Sequence, residues 1–317
     1  MKAMQYVIYL GPADALPAAR EVLEPSWAVC APEATPEAVT VHLGNAVAIL
    51  DASMQVLFDR ALLDRAPGLR VISTATTGAD HIDSKALAER AIPLLTLAGE
   101  KEVLHNLTPA AELSWTLLMV CARRLRGAVQ HVLEGKWVRE QFPGTMLKGK
   151  TLGLIGCGRI GSWMARYARA FDMEVLGYDP FVEPWPNQIR KSDLGTLLST
   201  ADFISLHVPF NDQTRGMIGA REFGLVKPGA VFINTSRGGL IDEQALLKAL
   251  REGRLSAAGV DVLAGEPRIA HHPLVAYAQM HDNLIITPHI GGFSPDAVKT
   301  VVGHASRRIA EVLDPGA

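Results

Sequence analysis

Thr151-Leu152-Gly153-Leu154-Ile155-Gly156-Cys157-Gly158-Arg159-Ile160-Gly161 decides how this chain is read. Thr151–Ile155 is a short apolar run of strand type, and it leads directly into the series Gly156-x-Gly158-x-x-Gly161. A helical pattern, Ile160–Phe171, follows. A strand, a glycine turn and a helix start together make an anion cradle. Gly156 permits the tight turn, Gly158 lets the backbone approach a pyrophosphate on the helix N-terminus, and Gly161 lets helix and strand pack closely. Three glycines among 28 carry little weight without that context. A second strand candidate, Glu174–Tyr178, ends at Asp179, at about the 20-residue distance where a ribose-binding acid belongs. A carboxylate there accepts from both ribose hydroxyls and repels the extra phosphate of NADP, so NAD is the expected cofactor. The bland alternative is an ordinary strand–turn–helix with a capping aspartate.

The alternation continues on both sides. Downstream, Phe203–Val208, Ala230–Asn234, Ala257–Val262 and Leu284–Thr287 read as strands, with Leu194–Ser199 and Glu243–Glu252 as helices. Five or six parallel strands with crossover helices make a doubly wound α/β domain. Upstream, Gln5–Leu10, Ala46–Leu50 and Leu69–Ser73 read as strands, with helices at Gln55–Arg65 and Asp83–Arg90. Pro109–Glu134 is the longest helix candidate, with Thr108 as N-cap, Gly135 as stop, and Gly127 inside at a cost of about 1 kcal/mol. An irregular connector, Lys136–Lys150, follows it, and Pro295–Leu313 is an amphipathic helix that can return to the first block. The expected fold is therefore α/β, with two doubly wound parallel-sheet domains.

Composition sets the outer limits. The chain has 317 residues, which fits about two domains at roughly 150 residues each. Its 31 Lys and Arg balance 33 Asp and Glu, leaving a net charge of −2 and no basic field for a nucleic acid. No apolar run approaches the ~20 residues that span a bilayer, so no membrane partner is expected. The N-terminus reads straight into strand-like sequence without a leader pattern. Cys30, Cys121 and Cys157 are too widely spaced for a disulfide framework and suit a reducing cytoplasm.

Three further segments bring chemistry to the carboxyl ends of strands, where open α/β sheets bind ligands. After Ala230–Asn234 comes Thr235-Ser236-Arg237-Gly238-Gly239, in which the Arg237 fork matches a carboxylate or 2-oxo acid. After Ala257–Val262, Asp261 can accept from a carboxamide, and Glu266 precedes Pro267. After the last strand, His289 lies between Pro288 and the glycines Gly291 and Gly292, where it can act as a general acid–base near neutral pH. A carboxylate such as Glu266 would hold its ring protonated and oriented.

Taken together, Gly156–Gly161, Asp179, Asn234–Gly239, Asp261–Pro267 and Thr287–Gly292 resemble the D-isomer-specific 2-hydroxyacid dehydrogenases. The likeness extends to Thr77-Gly78-Ala79-Asp80-His81-Ile82-Asp83 and Asn106–Glu112. Trp137 and Leu147–Thr151 look like the 3-phosphoglycerate dehydrogenase branch, here without a regulatory domain after Ala317. The resemblance implies a Rossmann NAD domain over 105–287, inserted into a flavodoxin-like substrate domain over 1–104 and 288–317. It implies reduction of a small 2-oxo acid, or oxidation of the 2-hydroxy acid. Arg237 would hold the carboxylate and carbonyl, His289 would give the proton, and Glu266 would keep His289 protonated. Thr77 and Gly78 would help bind the carboxylate. Beyond Gly156, Gly158, Gly161 and Asp179, the cofactor set carried over is Thr77, Arg159, Ile160, His207, Val208, Pro209, Thr214, Thr235, Ser236, Arg237, Asp261, His289 and Gly291. A homodimer is implied as well.

Leu50–Met54 and Ser73–Thr77 contain no Arg or Lys, and Thr74 stands where the phosphoglycerate branch has a phosphate-gripping Arg. A smaller or differently charged 2-oxo acid is therefore expected, with 3-phosphoglycerate as an alternative substrate. A second class of function is a non-catalytic NAD sensor of the corepressor type, and a third is phosphite oxidation, against which Thr76 and Thr77 speak. His271, His272 and His281 are read as loop residues without a ligand pattern, so no metal is expected. Arg123-Arg124-Leu125-Arg126 is read as a solvated helix face.

Overall fold

The computed structural model describes residues 5–24 and 26–314. The chain divides into two compact units, Met1–Leu107 with Phe293–Ala317, and Thr108–Gly292. The unit boundaries fall at 107/108 and 292/293, against 104/105 and 287/288 in the sequence reading. Leu107 packs with Val103 and Leu104 on the first unit's core, while Ile290 and Gly291 hydrogen-bond to Asp261 of the second, which accounts for both displacements.

The first unit holds five parallel strands: β1 (Tyr6–Leu10), β2 (Ala28–Cys30), β3 (Ala46–Asp51), β4 (Val71–Thr74) and β5 (Leu94–Leu95), in the order β2-β1-β3-β4-β5. Successive side chains of β1 go to opposite faces, so Val7 and Tyr9 join one cluster and Ile8 and Leu10 the other. Both faces are covered, as parallel sheets require. The helix Pro295–Leu313 covers the first with Val298, Val301, Val302, Ala305 and Ile309. Arg70 donates to the carbonyls of Val312 and Leu313, which closes that helix's C-terminus.

The second unit holds seven parallel strands: β6 (Thr151–Ile155), β7 (Glu174–Tyr178), β8 (Arg190–Lys191), β9 (Phe203–Leu206), β10 (Ala230–Asn234), β11 (Leu255–Val260) and β12 (Leu284–Ile286). Their order is β12-β11-β10-β9-β6-β7-β8. Strand β6 pairs with β7 on one side and β9 on the other, so the winding reverses at the carboxyl end of β6. That reversal point is where such sheets bind ligands, and the glycine turn sits on it.

Two expectations need correction. The single helix 109–134 is two, Pro109–Ala122 and Leu125–Leu133. The break is at Arg124, in left-handed conformation at φ 49°, and not at Gly127. Gly127 lies inside the second helix because a Cβ there would collide with the Asp282 carboxylate. Arg123-Arg124-Leu125-Arg126 is exposed, as the sequence reading had it, and the Arg126 guanidinium also donates to the carbonyls of Ala278, His281 and Leu284, in the last turn of the helix Pro273–Met280 and just after it. The Gln55–Arg65 helix shrinks to Arg60–Leu63, because Phe58 is held extended by bonds with His81 and Asp83, and Asp59 caps the start. His272, read as a loop residue, caps the helix Pro273–Met280 from the segment just before it, and His281, just after that helix, stacks on Tyr277.

Candidate active site

The glycine turn explains its own composition. Gly156 has φ 95°, and a Cβ there would run into the His207 carbonyl. A Cβ on Gly161 would strike the Gly156 carbonyl. Gly158 differs: a Cβ there would meet nothing within 4 Å, so that side of the turn is open. Gly158 is also the N-cap of Arg159–Ala170 and offers no side-chain acceptor to the first-turn amides. Such a helix start favours an external anion. Burial lowers the pKa of the Arg159 guanidinium. This donor set and open cradle fit a dinucleotide pyrophosphate.

Asp179 follows β7, but its carboxylate is more engaged than the sequence reading assumed. One oxygen accepts from Cys157 N at 2.9 Å, the other from Phe181 N and Val182 N at 2.9 and 3.1 Å. A carboxylate has about four acceptor positions, so about one remains for a ribose hydroxyl rather than two. Cys157 itself is buried beneath the turn, and burial followed by the Asp179 charge pushes its thiol up to about 12. It is inert at neutral pH. His207, after β9, bonds Ser205 Oγ at 2.8 Å through Nε2, while its Nδ1 is buried without a partner. Burial holds this imidazole down to about 3, so it is neutral. Val208 packs beside Gly156, and Thr214 donates to the Pro209 carbonyl.

The second cluster is built on loops after β10, β11 and β12. Buried Asn234 shapes the first loop, donating to the Arg237 carbonyl at 2.9 Å and accepting from Ser236 N at 3.0 Å. The Thr235 and Ser236 hydroxyls are used inside the unit, on Ser114 Oγ and the Leu206 carbonyl. Gly238 is required because a Cβ would overlap the backbone of Leu263 and Ala264. That close approach sets the Arg237 loop against the Glu266 loop.

Asp261, buried after β11, ties down the third loop. It accepts from Thr287 Oγ1 at 2.6 Å, Ile290 N at 2.9 Å and Gly291 N at 2.7 Å. Burial raises its carboxyl against those opposing bonds. About one acceptor position is left for a carboxamide. The loop so held presents His289, at φ 55°, with Nδ1 2.6 Å from Glu266 Oε1. Glu266 Oε2 accepts from Leu263 N at 3.0 Å. Burial by itself would raise the Glu266 carboxyl, but the His289 hydrogen bond and charge, the Leu263 N–H and the Arg237 guanidinium hold it below its usual range. Against an ionised carboxylate Nδ1 is the donor, which leaves Nε2 as the ring nitrogen that Glu266 does not engage. The pair is about one-third exposed, at 28% and 32%. When the ring carries a second proton on Nε2, it can pass that proton to a bound carbonyl oxygen, and the neutral ring left behind keeps its Nδ1–H on Glu266.

Sequence models of two domains match the chain. The D-isomer specific 2-hydroxyacid dehydrogenase NAD binding domain matches residues 115–291, and the catalytic domain of the same family matches 13–114. The chain belongs to the D-isomer specific 2-hydroxyacid dehydrogenase family. It is 38% identical to D-3-phosphoglycerate dehydrogenase of Methanocaldococcus jannaschii, over 80% of this chain and 47% of that protein. The chain thus spans about half the length of that relative. It is 37% identical to glyoxylate reductase of Thermococcus litoralis, over 84% of this chain and 80% of the relative. Among solved structures, D-lactate dehydrogenase of Aquifex aeolicus, complexed with NAD and lactic acid, is similar at a TM-score of 0.84 with 26% identity. That match covers 98% of this chain and 96% of the other.

In this family member, Thr77 and Gly78 lie in the first unit, in the turn after β4, where Thr76 Oγ1 donates to the Gly78 carbonyl at 2.7 Å. The sequence reading missed a second carboxylate–histidine pair there, Asp51 Oδ2 and His81 Nε2 at 2.6 Å. It missed another in the second unit, Glu243 Oε2 and His272 Nε2 at 3.0 Å. The motifs Asp80-His81-Ile82-Asp83 and His271-His272-Pro273 contained the histidines, but nothing in the spacing named their partners. No helix among the described residues is long and apolar enough to cross a membrane.

Proposed function

We propose that this protein is an NAD-dependent D-2-hydroxyacid dehydrogenase acting as a reductase of a small, non-phosphorylated 2-oxo acid. The observation that carries the reading is the 2.6 Å bond between His289 Nδ1 and Glu266 Oε1, with Arg237 close enough to lower the Glu266 carboxyl. Gly156, Gly158 and Gly161 with the first-turn amides at Arg159 and Ile160 hold the pyrophosphate, and Asp179 takes a ribose hydroxyl. Asp261 holds the carboxamide with its remaining acceptor position. Val208, Pro209, Thr214, Thr235 and Ser236 line the cofactor through their backbone, since the Thr214, Thr235 and Ser236 hydroxyls are committed elsewhere. NADH, when bound, supplies the hydride.

The protein's own part is to bind, orient and protonate. The Arg237 fork binds the substrate carboxylate and polarises the 2-oxo group. His289 Nε2–H gives its proton to the carbonyl oxygen, and Glu266 stabilises the imidazolium before that transfer. In the oxidising direction His289 takes the proton back.

A phosphorylated substrate fits poorly. Asp51 ends β3 as a buried carboxylate, and the Thr74 hydroxyl donates to the Thr76 carbonyl. Neither can grip a phosphate. A homodimer and a cytoplasmic location complete the proposal, the second supported by three unpaired cysteines. The test is NADH consumption against glyoxylate, hydroxypyruvate, pyruvate, phosphohydroxypyruvate and branched-chain and aryl 2-oxo acids. Turnover of a small member above phosphohydroxypyruvate supports the reading; a clear preference for phosphohydroxypyruvate, or no turnover with NADH bound, overturns it.

A further inference from the structure

We infer that Glu243 and His272 form a positioning pair that grips both ends of the loop carrying Glu266. Glu243 Oε1 accepts from Ala264 N at 2.8 Å, and Oε2 bonds His272 Nε2 at 3.0 Å. Ala264 and His272 bracket Glu266 in sequence, so one carboxylate fixes the loop before and after the acid. Glu243 opens the helix Glu243–Arg251, itself capped by Asp242 on Gln244 N and Ala245 N. The support is therefore rigid, and it begins just after the Arg237 loop. Both partners are nearly buried, with side chains 14% and 10% exposed, so neither finds water in place of the other.

The bonds also fix a tautomer. His272 Nδ1 accepts from Leu274 N at 3.2 Å, so the proton is on Nε2 and is donated to Glu243. The two ring nitrogens then have separate roles, Nδ1 capping the helix Pro273–Met280 and Nε2 holding Glu243. Neither residue is a catalytic group. They act through the backbone at Ala264, next to the Leu263 N–H that bonds Glu266 Oε2.

The two roles can be separated, because Asn reproduces the Nδ1 acceptor and Gln the Nε2 donor. The inference rests on the reductase reading, so one measurement must not depend on turnover. Amide hydrogen exchange at Ala264 and 2-oxo acid reduction are measured for H272N, H272Q, E243Q and D242A. In E243Q the amide can accept from Ala264 but meets His272 Nε2–H with a donor. The expected result is faster Ala264 exchange and a kcat lower by on the order of ten- to a hundredfold in H272N and E243Q, with the KM for NADH unchanged. A catalytic group displaced by about 1 Å loses rate on that scale. H272Q and D242A should lower Tm, through their lost caps, but keep kcat. Wild-type Ala264 exchange in H272N, or kcat losses that follow Tm across all four variants, would overturn the inference. If the wild-type protein reduces no 2-oxo acid the reductase reading falls, while Ala264 exchange still tests the grip.

Discussion

Two carboxylate–histidine contacts, one in each unit, have the same length and opposite surroundings. His289 and Glu266 meet at 2.6 Å, about one-third exposed, on loops beyond β11 and β12. His81 and Asp51 also meet at 2.6 Å, with side chains 11% and 0% exposed. Asp51 Oδ1 is fully occupied by Ser53 N, Ser53 Oγ and Met54 N, which leaves nothing to offer a ligand. The contact length says nothing about function here. What separates the pairs is exposure: the His289 side chain is 28% exposed, whereas that of His81 is 11% exposed and its Nδ1 is buried without a hydrogen-bond partner among the described residues. The proposed function gives the first pair the proton transfer, whereas the second pins the loop after β3 to the segment after β4.

Substitution should separate them most strongly. His289→Ala is expected to lower turnover a hundredfold or more, within the ~10²–10⁴ range of general acid–base catalysis, with the Tm nearly unchanged. Asp51→Ala should do the reverse. It strands two backbone amides and His81, at about 1–3 kcal/mol for each buried group left unpaired, and Tm should fall by several degrees while turnover changes far less. Steady-state rates and thermal melts on both variants make the measurement. Equal rate losses, measured where both variants are folded, would mean that the buried pair takes part in the chemistry.

The glycine turn allows the same division within one motif. Gly161→Ala is expected to cost folding, because its Cβ collides with the Gly156 carbonyl. Gly158→Ala should fold normally and bind NADH about tenfold more weakly, since its Cβ enters the open side where backbone approach to a pyrophosphate is needed. Circular dichroism with NADH titration distinguishes the two. Asp179→Ala should have a smaller effect on NADH, several-fold, and should reduce the bias against NADPH. Its bond to Cys157 N makes some loss of turn order part of that effect. Unchanged affinities for both cofactors would remove Asp179 from the ribose site.

These contrasts show why some of the molecule was legible in sequence. Strand β6, the glycine turn and β7 were readable to the residue, because a buried parallel strand is a continuous apolar run and the glycines follow from local collisions. The helix break at Arg124 was not, because a left-handed non-glycine residue carries no sequence signal, and the neighbouring Arg126 bonds carbonyls more than 150 residues away. The short edge strands Ala28–Cys30 and Arg190–Lys191 were missed too. Ala28–Cys30 is a partly buried run of only three residues, and Arg190–Lys191 is two exposed cations. Arg237, Glu266 and His289 could be singled out because each follows a readable strand, and the structure brings Glu266 and His289 together. The Glu243–His272 pair was not, since it exists only once the start of the helix Glu243–Arg251 meets the segment before the helix Pro273–Met280.

The smallest expected effect concerns His207, a histidine without a carboxylate. Burial depresses its folded pKa to about 3, against an ordinary value of ~6.5 in the unfolded chain. The sign follows from proton counting. Above pH ~6.5 neither state is protonated there, and the group contributes no pH dependence. As pH falls from ~6.5 towards 3, the unfolded chain takes up a proton that the folded chain refuses, so stability declines with acid. By pH 5 the loss from this site reaches about 2 kcal/mol at most. His207→Asn cannot be protonated and should flatten that part of the curve. Its Tm should fall less than the wild type's between pH 7.5 and 5, even if it starts lower. Parallel curves for the two proteins would mean that His207 takes up its proton without unfolding, and that the ring is less shielded than its partnerless Nδ1 implies.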